Sequence, residues 1–494
     1  MDDVNEKLLP TAQRPQVDDG SRHALSGNIV SFMGCIQPSR LRLAAWLISI
    51  SSFMWGFSAT VLNEQELATA LVVVGCVLSA VISGGVGARI GQKKTILINN
   101  ILYVIGGALC ALATSKRELY AGRVITGLAS GVVTNTVPIL LKEISPTVSS
   151  GEITSLHQLS LTIGMLVSAV LGCIIISKVP SGWRYLNGFM ILPPLIQCIS
   201  ASSMPESPWW LMKNCGREDC RATLTFLRSD YQKGNIEAEV VEIARVMEHR
   251  KHEPHVTWSH LLMHKRVMIT GTILVFFQAM TGINTVMLYS AKIFGFAGVS
   301  NPFLATIVVG LTNVGVTILT TRLVDSYGRR PLLIVGTSIM TFALGVLSWS
   351  LLCLDSNLGF QGIIAVMSVL SFVSGFAVGL GAVVWVILGD ITPVHIRPRA
   401  FAFFMVVSYL CNLLIAVFTL SAISFLGRGV NPEKNGIAKL YLILSGVAAV
   451  CLAYVYFFVG ETLHLNSNLV IVADDQKSLL TEKANEVPRQ TTTL

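Results

Sequence analysis

The stretch FQAMTGINTVMLY, residues 277–289, closes an apolar run that begins near residue 267. The run carries no charge and is long enough to cross a bilayer, since roughly 20 residues of helix span the hydrocarbon. It nevertheless contains two amides, Gln278 and Asn284, and an amide without hydrogen bonds in hydrocarbon is strongly destabilising. Gly282 between them permits a break in the helix or a close neighbour. On these residues alone, helix packing and solute binding are equally good interpretations.

The composition of the whole chain is that of a membrane protein. Of its 494 residues, 52% are apolar and only 13% are charged, which is too apolar for a soluble globule. The formal net charge of +8 does not indicate a nucleic-acid partner, because Lys and Arg lie at the ends of the apolar runs. No nucleophile–base pair, phosphate loop or metal cluster stands out, so we expect neither an enzyme nor a cofactor.

Twelve apolar runs are long enough to cross a membrane, and basic residues cluster in alternate loops between them. The positive-inside rule then predicts that both termini are cytoplasmic. The pattern predicts an all-α membrane protein with a cytoplasmic tail 1–42, a six-helix bundle 43–204, a cytoplasmic linker 205–266 with short helices, a second bundle 267–459 and a tail 460–494. The runs are approximately 43–63, 67–88, 95–113, 119–141, 154–177, 185–204, 267–290, 303–324, 331–354, 361–388, 400–426 and 437–459.

Two short motifs recur at corresponding places in the two predicted bundles. RIGQKK, residues 89–94, follows the second run, and DSYGRR, residues 325–330, follows the eighth. EISP, residues 143–146, follows the fourth run, and DITP, residues 390–393, follows the tenth. The repeats indicate duplicated bundles with internal pseudo-symmetry, an arrangement in which a solute site lies near the midplane between halves that rock.

Polar side chains share one helical face in several of the runs. Such stripes suit a water-filled cavity, although packing between helices would account for some of them. Neutral amides and hydroxyls match a neutral, hydroxyl-rich solute, because each sugar hydroxyl both donates and accepts a hydrogen bond. The stripes are Ser155, Gln158 and Thr162 in the fifth run, Thr306, Asn313, Thr317 and Thr320 in the eighth, and Ser408 and Asn412 in the eleventh.

Further motifs follow one another along the chain in a characteristic order. They are Gly56-Phe57-Ser58, Gly122-Arg123, Leu156-His157-Gln158-Leu159, Pro205-Glu206-Ser207-Pro208, Gln278 to Asn284, Asn313, Gly328-Arg329-Arg330, Trp385 and Arg397-Pro398. In this order they resemble the sugar porter branch of the major facilitator superfamily, most closely its facilitative hexose transporters. The resemblance covers nearly the whole membrane region and implies that superfamily's twelve-helix fold.

The resemblance also implies a sugar site. Its amides would be Gln158, Gln278, Asn284 and Asn313, which would contact sugar hydroxyls. Trp385 would form an aromatic wall beside the sugar ring, and the spacing in the eleventh run adds Asn412 as a candidate.

Several positions depart from the family pattern. Family members often have Gln at Ala279, an acidic residue at Ala377 and Trp at Tyr409. These changes leave a general site in place and alter the expected sugar preference and affinity.

The resemblance further implies ion pairs at the cytosolic ends of the spans, which favour the outward-open state and break when the cavity opens inward. Contact with lipid headgroups would explain single basic residues but explains their acidic partners poorly. Two arginines of the family are replaced by Ser150 and Trp209, which predicts a weaker first half of this set. The predicted members are Arg89, Arg123, Glu143, Glu206, Asp325, Arg329, Arg330, Asp390 and Arg397.

A proton-coupled transporter needs a titratable group in the transport pathway. No Asp or Glu lies in the middle of a run, and Ser58 stands where proton-coupled members of the family carry Asp. His157 is expected to be a packed residue with a local hydrogen bond. The sequence therefore predicts facilitated diffusion of a monosaccharide, glucose or a related hexose.

Two alternatives to this function stay open. One is a proton-coupled porter for a sugar, inositol or another polyol, and the other is a nutrient sensor that has the fold but does not transport. The expected partners are the hexose and membrane lipids, and a monomer is sufficient for transport. We expect the protein in the plasma membrane, with the lysosomal or vacuolar membrane as alternatives.

Overall fold

The computed structural model describes residues 40–60, 66–146, 149–179, 181–229, 233–249, 261, 263–296, 302–353, 358–427 and 431–462. These residues are almost entirely helical, and no β-strand occurs among them. Residues 1–39 and 463–494, which make up most of the two predicted tails, lie outside the described part. Within the described part, eleven helical segments are long and apolar enough to cross a membrane. The prediction of an all-α membrane protein is confirmed.

The first half of the chain begins with five long helices. The sixth predicted span consists of two short helices, because Pro193 and Pro194 lack the N–H groups that would continue the hydrogen bonding from the preceding turn. This half contains α1 (Arg40–Thr60), α2 (Glu66–Ile90), α3 (Gln92–Leu112), α4 (Lys116–Ile144), α5 (Ser150–Lys178), α6 (Gly182–Phe189) and α7 (Leu192–Ile199), with a 3₁₀ turn at Ser200–Ser203.

In the part of the predicted linker that the structure describes, three short helices share a small core of their own. They are α8 (Pro208–Asn214), α9 (Arg217–Leu227) and α10 (Lys233–His249). Leu224 of α9 packs against Val240 and Ile243 of α10, which lie one turn apart on the apolar face of that helix. Arg228 then donates to the carbonyl of Ile144 at 2.9 Å, which attaches this group of helices to the end of α4.

The second half repeats the order of the first, with two of its spans interrupted. The interruptions lie at Gly282 and at a π-helical turn formed by Ala377–Gly381. This half contains α11 (Lys265–Met280), α12 (Ile283–Phe296), α13 (Pro302–Tyr327), α14 (Arg329–Cys353), α15 (Leu358–Phe376), α16 (Val383–Ile391), α17 (Arg397–Leu426) and α18 (Pro432–Phe458).

At Gly282 the sequence leaves two possibilities, a helix break and a close neighbour, and both occur. Gly282 has a φ of 84°, a conformation that costs roughly 1–2 kcal/mol for a residue with a side chain. A Cβ atom there would also lie 2.5 Å from Cδ1 of Leu444 in α18. Glycine therefore allows α11 to end and α12 to begin in the middle of one span, between the two amides.

The two halves meet along two pairs of helices, α2 with α17 and α5 with α13. Small residues bring the helices close: a Cβ at Gly84 would lie 2.5 Å from the carbonyl oxygen of Pro398, and one at Gly310 would lie 3.0 Å from Cδ1 of Leu166. Helices α4 and α16 also contact the opposite half. The surface shared by the halves is thus formed by α2, α4 and α5 on one side and α13, α16 and α17 on the other.

Glycines also set the contact of α14 with the interrupted tenth span. A Cβ at Gly336 would lie 2.5 Å from the Cα of Gly379 and 2.5 Å from the carbonyl oxygen of Gly375. Both of those residues belong to α15 and its π turn. The backbones therefore touch directly, which holds the π turn against α14.

We predict that Gly336→Ala destabilises the protein, because its methyl group would meet backbone atoms that cannot move aside. Gly446→Ala in α18 is the matched control, since a Cβ there meets nothing within 4 Å. Alanine favours a helix over glycine by roughly 0.5–1 kcal/mol, so the control should melt at the same temperature as the parent or slightly higher. The measurement is Tm in nanodiscs, and equal Tm values for the two variants would contradict the close contact.

Candidate functional site

Two of the predicted site amides bond to each other. Asn284 donates through Nδ2 to Oδ1 of Asn412 at 2.7 Å, which connects α12 to α17. Asn284 is exposed, although it lies in the middle of its span. A polar amide at that depth is stable only beside water or protein, so its exposed side indicates a water-accessible space within the bundle.

Gln278 makes a different contact. Its Nε2 donates to the carbonyl oxygen of Leu380 at 2.8 Å, and the side chain is buried. Leu380 lies in the π turn, where the wider spacing of hydrogen bonds makes a backbone carbonyl available. Gln278 therefore joins α11 to the tenth span, which is the packing role that the sequence left as an alternative.

Trp385 lies against a buried histidine, which precedes Gln158 in the chain. His157, the neighbour of Gln158 in α5, has Nδ1 2.8 Å from Oγ of Ser52. Its ring stacks on Trp55 at 6.3 Å and meets the ring of Trp385 edge-on at 6.2 Å. The prediction of a packed histidine with a local hydrogen bond is confirmed, and Trp385 of one half touches the other half.

Asn313 is buried in α13, the helix that packs on α5. Its Oδ1 has no hydrogen-bond partner among the described residues, and the same holds for Oγ of Ser155 and Nε2 of His157. Buried polar atoms are normally hydrogen-bonded, so these three atoms can accept or donate to a hydroxyl or a water molecule. They lie on α5 and α13, beside the surface shared by the halves.

A second group of polar residues lies where α2, α4, α13 and α16 end and α3, α5, α14 and α17 begin. We call this end of the bundle the charged face. Asp325 of α13 accepts from the backbone N–H groups of Gly151 at 3.0 Å and Glu152 at 2.7 Å. These groups open α5 in the other half, so a carboxylate from one half caps and neutralises the positive helix end of the other.

Asp390 pairs with basic side chains of both halves. It accepts from Nε of Arg329 at 3.2 Å and from Oγ1 of Thr462 at 3.2 Å. Lys142 of the other half also pairs with it. Because Arg329 bonds to Asp325 at 3.0 Å as well, one guanidinium orients both carboxylates that reach across the shared surface.

Glu143 forms the other contact between the halves. It lies 3.7 Å from Arg397 of α17 and accepts from Oγ of Ser207 at 2.5 Å. Arg397 also donates to the carbonyl oxygen of Thr392 at 3.0 Å. The predicted pairing of Glu143, Arg329, Asp390 and Arg397 is therefore present, and all four side chains are buried.

Glu206 caps a helix instead of forming the predicted ion pair. Its Oε1 accepts from the backbone N–H groups of Gln92 at 2.9 Å and Lys93 at 3.1 Å, at the start of α3. Burial raises the pKa of this carboxyl, while the backbone N–H groups lower it. The backbone turn at Gly91 has a φ of 99°, and a Cβ there would lie 2.3 Å from Glu206 Oε2.

The second half repeats this cap with a residue that sequence analysis missed. Glu461 accepts from the backbone N–H groups of Arg329 at 2.9 Å and Arg330 at 3.1 Å. Gly328, with a φ of 92°, corresponds to Gly91. The dipeptide Glu461-Thr462 thus repeats Glu206-Ser207: the acid caps a helix, and the hydroxyl bonds to Asp390 or Glu143. A search for this dipeptide after the last span would have found it.

Three of the predicted arginines form no ion pair at the charged face. Arg89 and Arg330 lie at this face, but Arg89 is exposed and the Arg330 side chain donates to the carbonyl oxygen of Tyr456; within the described ranges neither side chain pairs with a carboxylate. Arg123 is not at the charged face at all, because it opens α4 whereas Glu143 ends it. Twenty residues of helix separate the two by about 30 Å. Arg123 is buried and donates through Nη1 to the carbonyl oxygen of Ser58 at 3.1 Å.

Lys142 is the second residue that sequence analysis missed. Its Nζ bonds to Oγ of Ser150 at 2.5 Å and pairs with Asp390. Gly389 makes room for its methylenes, since a Cβ there would lie 3.3 Å from Cγ and from Cδ of Lys142. A single lysine at the end of a span is usually a topology signal, which is why it did not stand out. It supplies a cation beside Ser150, where the family arginine is missing.

We predict that Lys142→Met lowers Tm by several degrees, because a buried ion pair that loses one partner costs about 3–5 kcal/mol. Arg329 still pairs with Asp390 in this variant, which limits the loss. Lys142→Arg is the charge-preserving control and should stay near the parent. The double variant Lys142→Met with Asp390→Asn should lose less than the sum of the two single losses. Additive losses in nanodiscs would show that Lys142 and Asp390 do not interact.

Comparison with known proteins agrees with this architecture. The family model described as "Sugar (and other) transporter" matches residues 32–470. The human "Solute carrier family 2, facilitated glucose transporter member 14" is 29% identical over 484 residues, covering 90% of this chain and 91% of that protein. The "Galactose-proton symporter" of Escherichia coli (strain K12) is 29% identical over 408 residues, covering 82% and 84%.

A solved structure shares the fold. The major facilitator superfamily proton:xylose symporter XylE, bound to 6-bromo-6-deoxy-D-glucose, superposes with a TM-score of 0.77 at 24% identity, covering 88% of this chain and 99% of that one. The chain is therefore a multi-pass membrane protein with the major facilitator fold, and it belongs to the family of sugar (and other) transporters.

Proposed function

We propose that this protein carries a monosaccharide, glucose or a related hexose, down its concentration gradient by alternating access. The observation that carries the proposal is the exposed Asn284–Asn412 pair in mid-membrane, combined with a charged face where the halves are joined by Asp325 and Asp390. A site that is open on one side and closed on the other has the arrangement of one state of a transport cycle.

The chemistry of the polar groups supports an uncharged, hydroxyl-rich substrate. The proposed contacts are Gln158, Gln278, Asn284, Asn313 and Asn412, with Trp385 against the sugar ring. The unpaired Oδ1 of Asn313 and Oγ of Ser155 can bond to sugar hydroxyls, which both donate and accept. Among the described residues, carboxylates lie only near the ends of the spans.

The orientation of the protein in the membrane is inferred from the distribution of charge. Basic residues of the charged face and of α8–α10 are on the same side of the membrane as the end of α4. By the positive-inside rule that side is the cytoplasm, which also places both termini there. The state described here would then be open to the outside, and we assign the protein to the plasma membrane.

Proton-coupled sugar transport is the second candidate, because two of the similar proteins bear the names of proton symporters. Ser58 stands where proton-coupled members of the family carry Asp, and its backbone carbonyl accepts from Arg123. Serine does not titrate, so this position cannot bind and release a proton during transport. Passive transport is therefore the better supported of the two.

We predict that the protein in proteoliposomes exchanges labelled glucose in counterflow, and that Asn284→Ala raises the half-saturating glucose concentration by about 2- to 10-fold. The reason is the loss of a hydrogen-bonding amide worth about 0.5–1.5 kcal/mol. Labelled pentoses and polyols, run in parallel, identify the preferred substrate.

Asn99→Ala is the matched control for this prediction. Asn99 is a buried amide of α3 that donates to the carbonyl of Ala129 at 3.0 Å within one half. Its loss should lower Tm and leave the half-saturating concentration unchanged. If Asn284→Ala exchanges glucose as the parent does, Asn284 is a packing residue and the proposed site is wrong.

A further inference from the structure

A hydrogen bond crosses between the halves deep in the membrane, away from the charged face. Oγ1 of Thr134, in α4, lies 2.8 Å from the hydroxyl oxygen of Tyr409, in α17. Thr134 and Tyr409 are only 1% and 5% exposed, so water does not compete for this bond. No residue of the charged face takes part in it.

The donor of this hydrogen bond can be assigned from the hydroxyl proton of Thr134. A threonine hydroxyl has one proton, and that of Thr134 is donated to the carbonyl oxygen of Gly131 in its own helix, at 3.1 Å. Thr134 can then only accept from Tyr409. The phenol of Tyr409 is therefore the donor, and it depends on the opposite half for its acceptor.

The position of the bond along α17 places it beneath the proposed sugar site. Tyr409 lies one turn from Asn412 on the same face of the helix, on the side of the charged face. It is twelve residues from Arg397, or about 18 Å along the axis. A substrate released from Asn412 towards the charged face would have to pass the level of Tyr409 and Thr134.

We propose that the Tyr409–Thr134 hydrogen bond is a gate between the sugar site and the charged face, additional to the ion pairs there. When the halves part, the two hydroxyls separate and bond to the entering water, so the bond stabilises only the closed state. The proposal deepens the proposed function, because it rests on the halves moving apart to release the substrate. It assigns Tyr409 and Thr134 a role as positioning residues in that movement.

A similar pair of hydroxyl groups lies within a single half, which provides a control. The hydroxyl of Tyr103, in α3, lies 3.1 Å from Oγ of Ser130, in α4, and Ser130 donates to the carbonyl oxygen of Thr126 at 2.8 Å. Both side chains are completely buried. This pair has the same donor, acceptor and helix as the proposed gate, but α3 and α4 belong to one half and stay together.

The test is hydrogen–deuterium exchange of the full-length protein in nanodiscs without sugar. The amides of Gly151 and Glu152 bond to Asp325 across the charged face, so their exchange rates report how often that face opens. Because no sugar is present, the result does not depend on whether the protein transports one. Counterflow in the same preparations tests the proposed function separately.

We expect Tyr409→Phe to raise exchange at Gly151 and Glu152 by about 2- to 10-fold, since it removes one neutral hydrogen bond from the closed state. Thr134→Val should raise exchange further, by about 5- to 100-fold. It leaves the buried hydroxyl of Tyr409 with only the thiol of Cys76, a weak acceptor, in the closed state, and a poorly bonded buried hydroxyl costs more than a lost bond. In the double variant the exchange rate should equal that of Tyr409→Phe, because this variant has no buried phenol hydroxyl that needs an acceptor.

Tyr103→Phe should leave the exchange of Gly151 and Glu152 at the parent level. The proposal is overturned if Tyr409→Phe raises exchange no more than Tyr103→Phe does. A smaller effect of Thr134→Val than of Tyr409→Phe would overturn it too. The closed state would then not be destabilised when the Tyr409 hydroxyl loses Thr134 as its acceptor. A uniform rise across the amides of both halves would show general destabilisation and also count against the gate.

Discussion

A hydrogen-bonding group in hydrocarbon must find a partner, and the rest of this structure depends on that constraint. The mid-span amides cannot face lipid, so Gln278 bonds to a backbone carbonyl of the π turn and Asn284 bonds to Asn412. The rest of the Asn284 side chain is exposed, so it can hydrogen-bond to water or to a solute. The surface between the halves is therefore polar and neutral in mid-membrane. A hydroxyl-rich solute can replace water there, because its hydroxyls can hydrogen-bond to the same polar groups.

At the charged face the carboxylates also find partners, and they do so in two ways: some bond within their own half and others bond to the opposite half. Glu206 and Glu461 cap helices within their own halves, together with the turns at Gly91 and Gly328, and these contacts stay intact when the halves move. Asp325 and the pair of Asp390 with Lys142 reach across to the other half. Each half thus has one glycine turn that is held by a carboxylate of the same half. The carboxylates that bond to the opposite half stabilise the closed state together, because all of these bonds form when the halves meet.

The sequence predicted the parts of the structure that depend on local pattern. The spans, the break at Gly282 and the buried His157 follow from hydropathy, a missing side chain and a polar residue in an apolar run. The pairing of residues distant in sequence was less accessible. Arg123 was misplaced because its short motif was read without the direction of α4, and Lys142 was missed because its partner Asp390 is brought near only by packing of the two halves. A π turn has no signal that distinguishes it from α-helix.

We propose that the substrate crosses a neutral, amide-lined cavity without a coupled proton. The most direct measurement uses proteoliposomes with equal glucose concentrations inside and outside, a potential clamped with potassium and valinomycin, and an imposed pH gradient. The account predicts that labelled glucose equilibrates and shows no net accumulation, because Ser58 cannot carry a proton and no carboxylate lies in mid-span among the described residues. Accumulation that follows the sign of the pH gradient and collapses with a protonophore would contradict it.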